Sequence, residues 1–216
     1  MNRLFLIVTN PVLRAVMLAL TGGFLVFFLC IHITGNYLFF GGAEIYNAYS
    51  SFLLGLPVIY AIEAVLVTCI LYHAIVGLWQ KLRRSRARGY SVQRNAPGSR
   101  RNLAARYAHI SGIVIAVFLV IHVATMKFGE PGIPGPERDM WGYTLVMFSR
   151  GWVVALYVLA LTVVGLHLFH GLGTLYESLG IAHRTWLRRT GQGVAIMLGI
   201  AYVAFPVLVY VFGGSL

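Results

Sequence analysis

Five apolar stretches, each near or above twenty residues, run through this chain with little between them. A hydrocarbon core of roughly 30 Å takes about twenty residues of α-helix to cross, at about 1.5 Å of rise per residue. The reading is therefore an all-α membrane protein with five transmembrane helices, at about 13–40, 57–82, 104–127, 147–178 and 188–213. Composition agrees: 59% of residues are hydrophobic and 11% charged, against about 25% charged in a soluble domain. The spans fill residues 1–216, so a single domain is expected. No internal repeat stands out. The N-terminus shows no small-residue cleavage site after a short apolar run, so no removable signal is expected. Cys30 and Cys69 both fall inside spans and read as small packing residues.

The formal charge of +11 does not point to nucleic acid, because a basic binding face needs a soluble scaffold that this chain lacks. The charge has a topological reading instead. Arg3 and Arg14 precede the first span. Nine basic residues, Lys81 to Arg106, join the second span to the third, and Arg184, Arg188 and Arg189 join the fourth to the fifth. All 14 lie on one side of a five-span arrangement, leaving Lys127, Arg138 and Arg150 on the other. The positive-inside rule makes the basic side, and with it the N-terminus, cytoplasmic.

Ionisable residues inside a bilayer are costly and mark function. Four spans each carry a deep histidine: His32, His73, His122 and His167. His32 lies 18 residues past Arg14 and His122 lies 16 past Arg106, roughly 24–27 Å of helix from the basic side. His73 and His167 enter from the other side, 16 residues past Pro57 and Gly151, and end near the inner leaflet. Depth thus pairs His32 with His122 and His73 with His167. Two imidazoles from facing helices at one level suit the axial positions of a six-coordinate haem, giving a bundle of the first four helices around two haems.

Eleven residues turn a helix to within roughly 20° of whole turns. Thr21 and Ser111, each eleven residues before a histidine, therefore share its face at the inner level and are candidate contacts of the inner haem. Gly77, one turn past His73, is a candidate for clearing space. His170, one turn past His167, competes for the inner ligand position, and His167 is preferred on depth. His109 faces elsewhere and His183 lies in a basic turn. Arg14, Lys81, Arg106 and Arg184 are placed either to pair with propionates of the inner haem or simply to set topology. Glu63, ten residues before His73, reads as a buried carboxylate near the outer level that could take up protons, with Asn36 and Tyr46 near the outer end as further candidates.

At these residues the sequence resembles the single five-helix, di-haem cytochrome b subunit of succinate dehydrogenases and fumarate reductases. The matching stretches are LTGGFLVFFLCIHITGN, GGAEIYNAYSSFL, EAVLVTCILYHAIVG, RYAHISGIVIAVFLVIHV and HLFHGLGTLYESLG, in order over nearly the whole chain. The resemblance implies two b haems, one on His32 and His122 and one on His73 and His167. It implies a flavoprotein with FAD and an iron–sulfur subunit as cytoplasmic partners, quinone (menaquinone) as substrate, and a complex that can dimerise in a bacterial inner membrane. Succinate chemistry would then lie off this chain. Some fumarate-reducing relatives carry a glutamate two residues before the fourth-span histidine as a proton path; here Gly165 stands there. The competing readings are a haem-b anchor of another respiratory enzyme, such as a hydrogenase or formate dehydrogenase, and a haem-free transporter.

Overall fold

The computed structural model describes residues 10–88, 101–129, 139–181 and 184–215, without the side chains of 81, 84–88 and 101–107. The described chain is helical, with no strand. Five helices are long and apolar enough to cross a membrane, the architecture of a multi-pass membrane protein. The long helices are α1 (Pro11–Tyr37), α3 (Ile59–Arg88), α4 (Arg101–His122), α6 (Gly151–Ser178) and α7 (Thr185–Phe212).

Two shorter helices were not expected. Helix α2 (Ala43–Gly55) fills the connection from α1 to α3, and α5 (Met140–Phe148) fills the approach to α6. Gly42 takes a positive φ of 93° to start α2, a backbone that favours glycine. Asp139 caps α5, accepting from the Gly142 amide at 2.9 Å, and Ser149 closes the helix. Hydrogen bonds from Gly142 and Asn47 hold the Asp139 carboxyl below the usual carboxylate range. Asn47 ties the two short helices together: its amide donates to Asp139 at 2.8 Å and its carbonyl accepts from the Trp141 amide at 2.9 Å. Beneath them Phe39 stacks on Trp141 at 5.4 Å and meets Tyr46 and Phe205 edge-on.

These additions expose a duplication that sequence reading did not find. Each half of the bundle is a long helix, a short helix and a long helix, α1–α2–α3 and then α4–α5–α6. Helix α1 packs on α3 and α4 on α6, and the halves meet along α1/α6, α3/α4 and α2/α5. Hence α1 faces α4, and α3 faces α6, across the middle. The relation matches parallel repeats about an axis along the membrane normal.

Packing is uneven around this ring. Helix α7, outside the repeat, joins α6 through backbone-close glycines. A Cβ on Gly165 would lie 3.3 Å from the Gly199 Cα, and one on Gly191 would lie 2.5 Å from the Leu172 carbonyl oxygen. Small residues at such crossings let membrane helices gain dispersion contact without a hydrophobic driving force. Tyr202 and Tyr37 fasten α7 to α1 by donating to the Leu29 and Ala201 carbonyls at 2.8 and 3.0 Å. The apolar stretches of α3 and α4, by contrast, contain no fully buried residue. Outward side chains are apolar, with Val120 71% and Leu159 70% exposed, as a lipid solvent requires. Outward hydroxyls such as Thr68 and Thr162 donate to carbonyls four residues back at 2.7 Å, which spares them an unmade bond in hydrocarbon.

Candidate functional site

The four deep histidines meet in pairs inside the ring of α1, α3, α4 and α6. His32 and His122 lie with ring centres 5.9 Å apart, and His73 and His167 with centres 6.5 Å apart. Each pair bridges one diagonal, α1 to α4 and α3 to α6. The His73/His167 pair lies nearer the end bearing Arg14, Arg83 and Arg188, called here the basic end. Along α1 and α4 eleven residues separate the two levels, about 16 Å.

Three of the four rings meet a hydroxyl group at Nδ1. His73 Nδ1 lies 3.3 Å from Thr21 Oγ1, His167 Nδ1 lies 2.9 Å from Ser111 Oγ, and His122 Nδ1 lies 3.2 Å from the Tyr157 hydroxyl. His32 is held by stacking, on Phe28 at 5.4 Å and against Tyr202 at 6.4 Å. His122 stacks likewise on Phe118 at 5.7 Å. Thr21 and Ser111 thus stand at the basic-end level, as the eleven-residue spacing requires, and their contacts are with the histidines themselves. The glycine beside His73 is Gly22, whose Cβ would come 3.0 Å from His73 Cε1. Gly77, picked out in the sequence, has only Leu18 near it, at an ordinary 3.9 Å.

Haem fits these residues on geometry. Two metal–nitrogen bonds of about 2 Å, plus about 1 Å from each nitrogen to its ring centre, place two imidazole centres about 6 Å apart. Both observed separations lie near that value. Among the described residues no three His, Cys, Asp or Glu side chains converge on one point. Paired imidazoles suit a metal that already carries its own equatorial ligands. A metal-bound imidazole normally gives its other N–H to an acceptor, and three of the four have one. Gln80 Nε2 and His109 Nδ1 are buried without a hydrogen-bond partner among the described residues. Gln80 is seven residues past His73, on nearly the same helix face towards the basic end, where a propionate would need a donor. Sequence reading passed over Gln80 because an amide seven residues from a histidine forms no motif.

The other candidates separate. His170 turns away from His73 towards α7, where Phe169, Gly173, Thr174, Arg188 and Gln192 surround it. Arg14 packs its guanidinium 4.7 Å over Trp79, whose ring also carries Arg83 at 4.6 Å. Arg184 is exposed at the start of α7. The side chains of Lys81 and Arg106 lie outside the described residues, as do His183 and residues 130–138. Glu63 forms an ion pair with Lys127 between α3 and the end of α4. A π-helical turn, Val123–Phe128, carries Lys127 there, and Tyr143 donates to the Thr125 carbonyl within that turn at 2.6 Å. Such turns are common at functional sites. Asn36 is half-buried near the end of α1, and Tyr46 is buried in the aromatic cluster around Phe39, a packing position.

No protein-family profile, curated protein or solved structure matches this chain.

Proposed function

We propose that the chain is the di-haem cytochrome b anchor of a succinate:quinone oxidoreductase or quinol:fumarate reductase. The observation that carries the reading is the meeting of four histidines, from four helices, as two imidazole pairs at two depths. Bound between them, two b haems would supply one-electron carriers at two levels of the membrane. His32 and His122 would hold one, and His73 and His167 the other. The protein's part is to fix ring positions, keep water from the bundle and hold donors near the basic end. The basic end is then cytoplasmic by the positive-inside rule, and there the chain would receive an iron–sulfur subunit carrying a flavoprotein. The Glu63–Lys127 pair, about a third exposed, is the candidate for quinone protonation at the far end; being a partly exposed pair it adds little to stability. The chain is read as a bacterial inner-membrane protein.

The test is a dithionite-reduced minus oxidised spectrum with pyridine haemochrome quantitation, on the chain purified alone and with co-expressed neighbouring subunits. Two haems b per chain and retention of soluble flavin and iron–sulfur subunits are expected. A colourless chain under haem-replete co-expression would instead favour the haem-free transporter.

Electron flow through both sites should be electrogenic. Position 165 faces the α7 backbone, and its Cβ would already touch Gly199, so α6 has no room there for a carboxylate to carry a compensating proton. Each electron crossing 100 mV is worth about 2.3 kcal/mol. Turnover of the whole complex in proteoliposomes should build a membrane potential, measured with a voltage-sensitive dye. A flat trace during sustained turnover contradicts this.

A further inference from the structure

The two halves of the bundle carry one motif at the same register. Helix α1 reads Thr21-Gly22, then Phe28 and Ile31-His32; α4 reads Ser111-Gly112, then Phe118 and Ile121-His122, each position shifted by ninety residues. In both copies the phenylalanine stacks on its own histidine one turn on. In both copies the hydroxyl meets the deep histidine of the partner helix in the same half, His73 on α3 and His167 on α6. A glycine lies beside that ring in both copies: a Cβ on Gly22 would crowd His73 Cε1 at 3.0 Å, and one on Gly112 would sit at an ordinary 3.8 Å from His167 Cε1.

The hydroxyl inventory admits a direction for these contacts that leaves a ring nitrogen free to bind a metal. A hydroxyl has one proton to give and two lone pairs. Thr21 Oγ1 already donates into its own helix, to the Met17 and Leu18 carbonyls at 2.9 and 3.1 Å. Ser111 Oγ donates to the Ala108 carbonyl at 2.9 Å. With its proton on a carbonyl, each hydroxyl offers the imidazole an acceptor. In that arrangement His73 and His167 carry their proton on Nδ1 and give it to the hydroxyl, which leaves the Nε2 lone pair of each ring free. The tautomer is set by the neighbour of the other nitrogen.

We propose that Thr21 and Ser111 are positioning residues, a duplicated device that fixes the tautomer and ring plane of His73 and His167 for an iron at the basic-end level. The inference rests on the haem reading above and adds to it which side chains prepare the ligands. It also makes the two levels unlike: both basic-end imidazoles give a hydrogen bond to a hydroxyl of the neighbouring helix, whereas at the far level His122 bonds Tyr157 and His32 relies on stacking.

The experiment uses the full chain purified with its haems, with Thr21→Val and Ser111→Ala made singly and together. An imidazole that loses its Nδ1–H acceptor donates less charge to its metal. One haem of the two should therefore shift its midpoint potential upward and change its low-spin EPR signal, with the other haem unmoved. Its retention should weaken by about tenfold, the low end of what second-shell losses cost. Thr21→Ser and Ser111→Thr should restore potential and signal together, which repair of packing alone would not do. Ser111→Ala, the smaller change, carries the test alone if Thr21→Val does not accumulate. Two haems with unaltered potentials and signals in every variant overturn the proposal and leave the functional reading standing. A wild-type chain that binds no haem overturns the functional reading itself.

Discussion

Alanine at any one of His32, His73, His122 or His167 is expected to lower haem content from two per chain to one. The reduced-minus-oxidised α-band should fall by about half in each of the four variants, while His170→Ala keeps both haems. The expectation follows from the pairing, since each ring centre stands about 6 Å from one partner only. With one imidazole gone, one of the two side chains that would hold the haem is missing and the cavity would admit water. His170 lies one turn from His167 and is the natural decoy, but its ring faces Arg188 and Gln192 on α7. Loss of haem from His170→Ala, or full haem content in all four single variants, would defeat the assignment. Because His32 and His122 share a level, the double variant His32→Ala/His122→Ala should lose no more haem than either single one. His32→Ala/His73→Ala should lose both haems. That contrast tests the pairing itself.

Valine at Gly191 should disrupt the junction of α6 and α7 more than any conservative surface change. A Cβ there would sit 2.5 Å from the Leu172 carbonyl oxygen and 3.0 Å from its carbonyl carbon, so the obstacle is backbone and cannot rotate away. Overpacking of this kind costs about 1–3 kcal/mol, occasionally more, and here it pries apart the most closely packed helix pair. Thermal unfolding in detergent, followed by circular dichroism, should show the variant melting well below the parent. Gly193→Ala, two residues on and with nothing within 4 Å of its Cβ, should melt unchanged or slightly higher, since alanine is the better helix former. Equal melting of Gly191→Val and Gly193→Ala would show that the helices are not held at this distance.

The number of long helices, their membrane character and the association of histidines by depth were all legible in the residue order. Helix rise is constant, so counting from Arg14, Pro57, Arg106 and Gly151 orders side chains by height without knowledge of packing. The same arithmetic put Thr21 and Ser111 at the level of His73 and His167. Helix ends were less legible: α1 ends at Tyr37 in a short 3-10 turn and α4 at His122 in a π-helical turn. Helices α2 and α5 were hidden because their apolar content is too short to read as a span and they sit beside turn residues. The duplication was hidden too, since its copies share only a few positions ninety residues apart. Those positions gain meaning once contacts show that Thr21 and Ser111 do the same thing.

What the sequence alone determined is therefore a set of heights and a solvent: five apolar helices, and chemistry-bearing residues ordered along the membrane normal. Height follows from covalent geometry and local hydrogen bonding, which every residue of a helix obeys. Tertiary structure decided direction around each helix axis and the identity of neighbours. It turned His167 inward and His170 towards α7, gave Glu63 to Lys127, and put Gly165 against Gly199 where a carboxylate cannot go. Those outcomes depend on which helix lies beside which, and that is set by side-chain volumes meeting across the bundle.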